Sequence, residues 1–114
     1  MDDEKFESIV TDILNSDFGS LDWSIYHDAH ERRNFEEEAV SVVVRITAND
    51  SRYYLCLSVS EDYREDTPRE NLEINIRSFI QKVISKFTPE SYGVPKDGRS
   101  CELWMLCNKG IMRY

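Results

Sequence analysis

Phe6, Ile9, Val10, Ile13 and Leu14 recur at i, i+3, i+4, i+7 and i+8, the stripe of an amphipathic helix. The spacing predicts a helix over residues 3–15. Asp2, Asp3 and Glu4 lie at its positive end, where the dipole favours them, and Asn15 to Gly19 end it. The period then changes to two. Trp23-Ser24-Ile25-Tyr26-His27 alternates large apolar with polar side chains and predicts a short strand. After the polar stretch Asp28 to Glu38, Val40, Val42, Val44 and Ile46 alternate with Ser41, Val43, Arg45 and Thr47. Ala48-Asn49-Asp50-Ser51 carries turn chemistry, and Tyr53, Leu55, Leu57 and Val59 share one face of the next run. Two such runs joined by a short polar link predict an antiparallel hairpin.

Glu61 to Asp66 reads as an acidic loop. Thr67-Pro68-Arg69-Glu70 then starts a second helix: Thr67 caps, Pro68 takes the first helical position, and Glu70 completes a capping box. Its buried stripe is Leu72, Ile76, Phe79, Ile80, Val83 and Phe87, with Lys82 and Lys86 in the last turns and Pro89 beyond. A turn-rich loop to Ser100 leads to a last strand, Cys101 to Cys107, which residues 109–114 extend or follow with a further short strand.

The order α-β-β-β-α-β predicts one α+β domain over residues 1–114. It is read as a two-layer sandwich, an antiparallel sheet of four or five strands with two helices on one face. On this reading the core face carries Trp23, Ile25, Val40, Val42, Val44, Ile46, Leu55, Leu57, Val59, Leu103 and Met105. The reverse face carries Tyr26, Val43, Arg45, Tyr54, Cys56, Trp104 and Leu106. A solvated face does not normally gather Tyr, Trp, Leu and Val, so Tyr26, Val43, Arg45, Tyr54, Trp104 and Leu106 are expected to contact a protein partner. The competing expectations are a covering C-terminal tail, a homodimer, or ordinary cross-strand pairing.

Charge sharpens this picture. Residues 1–74 hold 7 Lys and Arg against 19 Asp and Glu, whereas residues 75–114 hold 7 against 3, within a net charge of −8. An acidic domain repels nucleic-acid phosphates and speeds encounter with basic partners. Asp50, Glu61, Asp62, Glu65 and Asp66 join the expected partner-binding set on that ground. No run reaches the ~18 apolar residues of a membrane span. The acidic start Met1-Asp2-Asp3-Glu4 is unlike a signal peptide, and three cysteines in apolar runs fit a reducing compartment, so the expected location is cytoplasmic.

Catalytic chemistry finds little purchase. His27, His30 and Glu31 are the nearest approach to a metal or acid–base cluster, but the spacing differs from HExxH and the cysteines lack CxxC pairing. The stretch Ser60 to Glu65 lacks the glycine and ligand spacing of a calcium loop, and Glu36-Glu37-Glu38 reads as solvated. Cys101 and Cys107 fall on the expected core side, leaving Cys56 as the more accessible thiol. No nucleophile elbow or phosphate-binding loop is present. The expectation is a protein without catalytic, metal or cofactor residues.

The function expected is that of a small binding protein, an inhibitor or immunity protein that neutralises a basic partner such as a toxin nuclease. One alternative is a nucleic-acid-mimicking inhibitor of host defence enzymes. Another is a homodimeric secretion chaperone, because the element order and acidity are similar to those of class I type III secretion chaperones. That likeness is one of topology and charge, and it implies an escort for one protein partner.

Overall fold

The computed structural model describes residues 1–27, 39–88 and 101–113, with only the backbone of Cys101. The elements are α1 (Asp3–Asp17), β1 (Asp22–Tyr26), β2 (Val40–Ala48), β3 (Ser51–Val59), α2 (Glu61–Asp66), α3 (Arg69–Ser85), β4 (Cys101–Cys107) and β5 (Gly110–Arg113). The α+β class and the element order agree with the sequence. The short β5 is a strand in its own right.

Helix α1 forms where the stripe predicts and runs two residues further, to Asp17. Asp2 caps it: its carboxylate accepts the backbone N–H of Lys5 at 2.8 Å, satisfying one of the otherwise unpaired donors of the first turn. The β2–β3 hairpin closes on Asn49 and Asp50, with φ of 52° and 63°, between the paired residues Ala48 and Ser51. Both central residues sit in the left-handed region that a two-residue hairpin of this hand requires, which Asn and Asp tolerate better than other side chains.

The acidic segment after β3 is a helix and not the expected loop. The Ser60 hydroxyl accepts the N–H of Tyr63 at 3.2 Å and nucleates α2. Thr67 consequently ends α2, donating its N–H to the Tyr63 carbonyl at 3.1 Å, and does not cap α3. The α3 cap is Pro68, whose carbonyl accepts from Asn71 and Leu72 at 2.9 and 3.1 Å without a side-chain cap bond.

The five strands form one sheet in the order β1-β2-β3-β4-β5. It is mixed and not wholly antiparallel, because β4 lies parallel to β3. The cause is the crossover: α3, at ~1.5 Å per residue, carries the chain back ~25 Å, so β4 must start where β3 started.

Both long helices cover one side of this sheet. Phe6, Ile9, Val10, Ile13 and Leu14 of α1 and Ile76, Phe79, Ile80, Val83 and Ile84 of α3 pack on Val42, Val44, Ile46, Leu55, Leu57, Val59, Trp104 and Leu106. Trp104 and Leu106 thus face the helices, reversing the expected phase of β4. Leu103 belongs to the other side, packed with Val43, Tyr54 and Cys56.

Candidate protein-binding site

The reverse face does not present the aromatic docking surface that the strand phases suggested. Val43 and Cys56 are 0 % exposed, Leu103 is 7 % and Tyr54 is 8 %, all within the isolated chain. The polar members of the same face are also internal: the Ser41 and Ser58 hydroxyls lie 2.9 Å apart and buried. Tyr26 is half-buried against this cluster, its ring edge-on to Tyr54 at 5.2 Å, with the Arg45 guanidinium 5.9 Å from its centroid. Of the sheet residues predicted as contacts, Val43, Tyr54, Trp104 and Leu106 are therefore buried, and Tyr26 and Arg45 keep partial exposure. Among the described residues, the exposed large hydrophobic side chains are Met1 and Ile74.

The carboxylates tell a different story. Asp12 on α1 meets Arg77 on α3 at 3.0 Å, and five residues on, Asp17 accepts from Gln81 at 2.8 Å. Both pairings advance together along the two chains, so α1 and α3 run side by side in the same direction. Their N-terminal ends lie at one end of the molecule. Asp3 ties that end to the sheet by accepting the N–H of Ser41 at 3.1 Å, and Arg64 of α2 reaches the carbonyl of Met1 at 3.4 Å. Asp66 of α2 in turn accepts the side-chain amide of Asn108 in the β4–β5 turn at 2.9 Å.

Three helix starts thus converge on an acidic pole. The segments 2–5, 61–66 and 69–70 bring eight carboxylates there against three side-chain cations, Lys5, Arg64 and Arg69. The positive helix ends offset part of the self-repulsion of such a cluster. Asp62 and Glu65 are exposed, and Glu61 is partly so. Asp50 is elsewhere, at the hairpin tip at the far end of the nine-residue strands β2 and β3, ~30 Å away by strand length.

Comparison of the chain with protein-family models, with curated proteins and with solved structures finds no match.

An open groove of about 510 Å³ runs along α1 from Glu4 to Asn15 and continues from the pole, with Glu7, Asp12 and Arg77 on its walls. It is mixed in sign. Arg77 bridges Asp12 and Glu73, and the hydrogen bond to Asp12 is the main cause holding its guanidinium above its ordinary range, against the opposing effect of desolvation. Glu7 is occupied as well, 2.7 Å from Nε2 of the exposed His27. That contact gives His27 a surface partner. His30, Glu31 and Glu36 to Glu38 lie outside the described residues. Among the described residues no three His, Cys, Asp or Glu side chains are grouped to hold a metal ion. No described helix is long and apolar enough to cross a membrane.

The sequence pointed to Glu61, Asp62, Glu65 and Asp66, and the structure keeps these together on α2. It missed Asp2, Asp3, Glu4 and Glu70, which had been read as local helix-start features. The signal that could have found them is the crossover itself. A β-α-β connection sets α3 against its strands, and a second helix packed parallel to it must place both starts at one end.

Proposed function

We propose that the chain is a protein-binding domain whose acidic pole engages a basic protein partner, in the manner of an inhibitor or immunity protein acting in the cytoplasm. The observation that carries this reading is the convergence of the α1, α2 and α3 starts, which concentrates carboxylates that are scattered in sequence. Such a concentration raises the encounter rate with a positively charged cleft and orients it on approach. A nuclease toxin, whose substrate is itself polyanionic, is the partner class that fits best. Burial of the reverse face removes the apolar surface that would have competed with the pole as the contact.

The test uses two exposed α2 residues. The parent chain and an Asp62→Asn/Glu65→Gln variant are each co-expressed with candidate basic toxins encoded beside this chain, and complexes are scored by co-purification at low and ~0.5 M salt. A 1:1 complex with the parent that weakens with salt and with the variant supports the reading. Complexes indifferent to both changes, or none with any neighbouring basic protein, would refute it. Light scattering of the free chain separates a monomer from the homodimer that an escort function would imply.

A further inference from the structure

At the opposite edge of the sheet from β1, a smaller groove of about 200 Å³ lies between α2, α3 and the β4–β5 hairpin. Tyr63, Phe79, Leu106 and Ile111 supply its apolar walls, and Ser78 and Lys82 its rim. Lys82 is the one charged residue among its described lining, and no carboxylate joins it. It belongs to the part of the chain, residues 75–114, in which Lys and Arg outnumber Asp and Glu by 7 to 3. Two further cations stand at the same end of α3 and β5: Lys86 and Arg113 lie 5.9 and 5.3 Å from the Trp104 ring centroid. Arg113 is neutralised by a bidentate bond to Glu102, with both N···O distances 2.9 Å. Lys82 and Lys86 thus remain as cations beside the groove among the described residues.

The groove borders a strand edge. Among the described residues the sheet ends at β5, with no strand beyond it. In an antiparallel pair alternate residues turn their N–H and C=O away from the neighbouring strand, so β5 directs part of its backbone outward. Natural edges are commonly blunted by inward-pointing charges, proline or bulges. β5 is short, four residues ending on Arg113, but Gly110-Ile111-Met112 carries no proline and no charge, and Ile111 and Met112 remain partly exposed.

We infer that β5 accepts an extended acidic–apolar peptide segment as a sixth strand. One apolar side chain of the segment enters the groove at Phe79 and Ile111, and a carboxylate two residues along meets Lys82. The strand period places alternate side chains on one face at the spacing this requires. A second copy of this chain is the poorer occupant, since its β5, Gly110–Arg113, carries no carboxylate to meet Lys82. The groove adjoins the acidic pole through Tyr63 of α2, but its proposed occupant does not depend on what the pole binds.

The probe is a random twelve-residue peptide library displayed on phage and selected on the immobilised full chain. Selected peptides are expected to alternate apolar residues with Asp or Glu, and to shift the amide signals of Gly110 to Met112 and of Ser78 in nuclear magnetic resonance spectra. Lys82→Glu, an exposed substitution, should weaken them about tenfold, and Ser78→Trp should block them by filling the groove. The inference is overturned by four results. These are no enrichment over the naive library, basic peptides mapping to α2, selected peptides that leave the β5 signals unmoved, and a concentration-dependent dimer whose shifts map to β5.

Discussion

Trp104 distinguishes a buried sheet residue from a docking anchor, and its substitution has a calculable outcome. The ring is 7 % exposed and packed with the helix-side core. Truncation to alanine removes that packing and leaves a cavity, costing about 3–5 kcal/mol. It also removes the ring from Lys86 and Arg113, each such contact being worth ~0.5–1 kcal/mol at exposed positions. One feature opposes this: the indole Nε1 is buried with no hydrogen-bond partner among the described residues. An unmet buried donor costs about 1–3 kcal/mol. Trp104→Phe deletes the donor and retains most of the aromatic volume, so it should fall within about 1 kcal/mol of the parent. Urea unfolding followed by far-ultraviolet circular dichroism reads both. With a slope of about 1.5 kcal/mol per molar urea, alanine should lower the midpoint by about 2–3 M and phenylalanine by less than about 0.7 M. If alanine leaves the chain unfolded without denaturant, Trp104→Leu provides the intermediate point. A midpoint for Trp104→Ala within ~0.5 M of the parent would show that the ring is not core. A phenylalanine variant as weak as alanine would show that the indole N–H has a partner.

Two further outcomes follow from burial and backbone geometry. Cys56 is fully buried whereas Cys107 is partly exposed, so under native conditions a thiol reagent should label Cys107 first. Cys56 should react only on unfolding, and equal rates at the two sites would contradict the buried reverse face. At the hairpin tip, Asp50 has a φ of 63°. Asp50→Val should cost about 1–2 kcal/mol because a β-branched residue resists that conformation, while Asp50→Gly should be neutral or slightly stabilising. Thermal melts of the pair that coincide would refute a left-handed turn.

How much of this was readable from residues alone depended on whether a segment buried one face or two. The α1 stripe and the β2–β3 alternation were legible because each has a polar side that fixes its phase. Ser41 shows the limit even there: it alternates correctly, yet its hydroxyl is buried against Ser58. Segment 61–66 was misread because six residues with no apolar stripe resemble a solvated loop. Its helix rests on the Ser60 cap and on contacts from Arg64 and Asp66 to distant chain segments. Those contacts are tertiary, and no local pattern encodes them. The acidic pole was half-visible for a related reason, since charge is countable from sequence but its convergence needs the relative direction of α1 and α3.

The β4 error has the most instructive cause. Leu103-Trp104-Met105-Leu106 is apolar at every position, so period two leaves both phases equally good. Pairing decides between them. Parallel alignment with β3 sets Trp104 beside Leu57 and Leu106 beside Val59, and both neighbours face the helices. A continuous apolar run next to a crossover helix is the mark of a strand buried on both sides. Such a run argues against an open aromatic face. A binding reading that began from apolar residues on the sheet thus moves to the helix starts, where charge and exposure coincide.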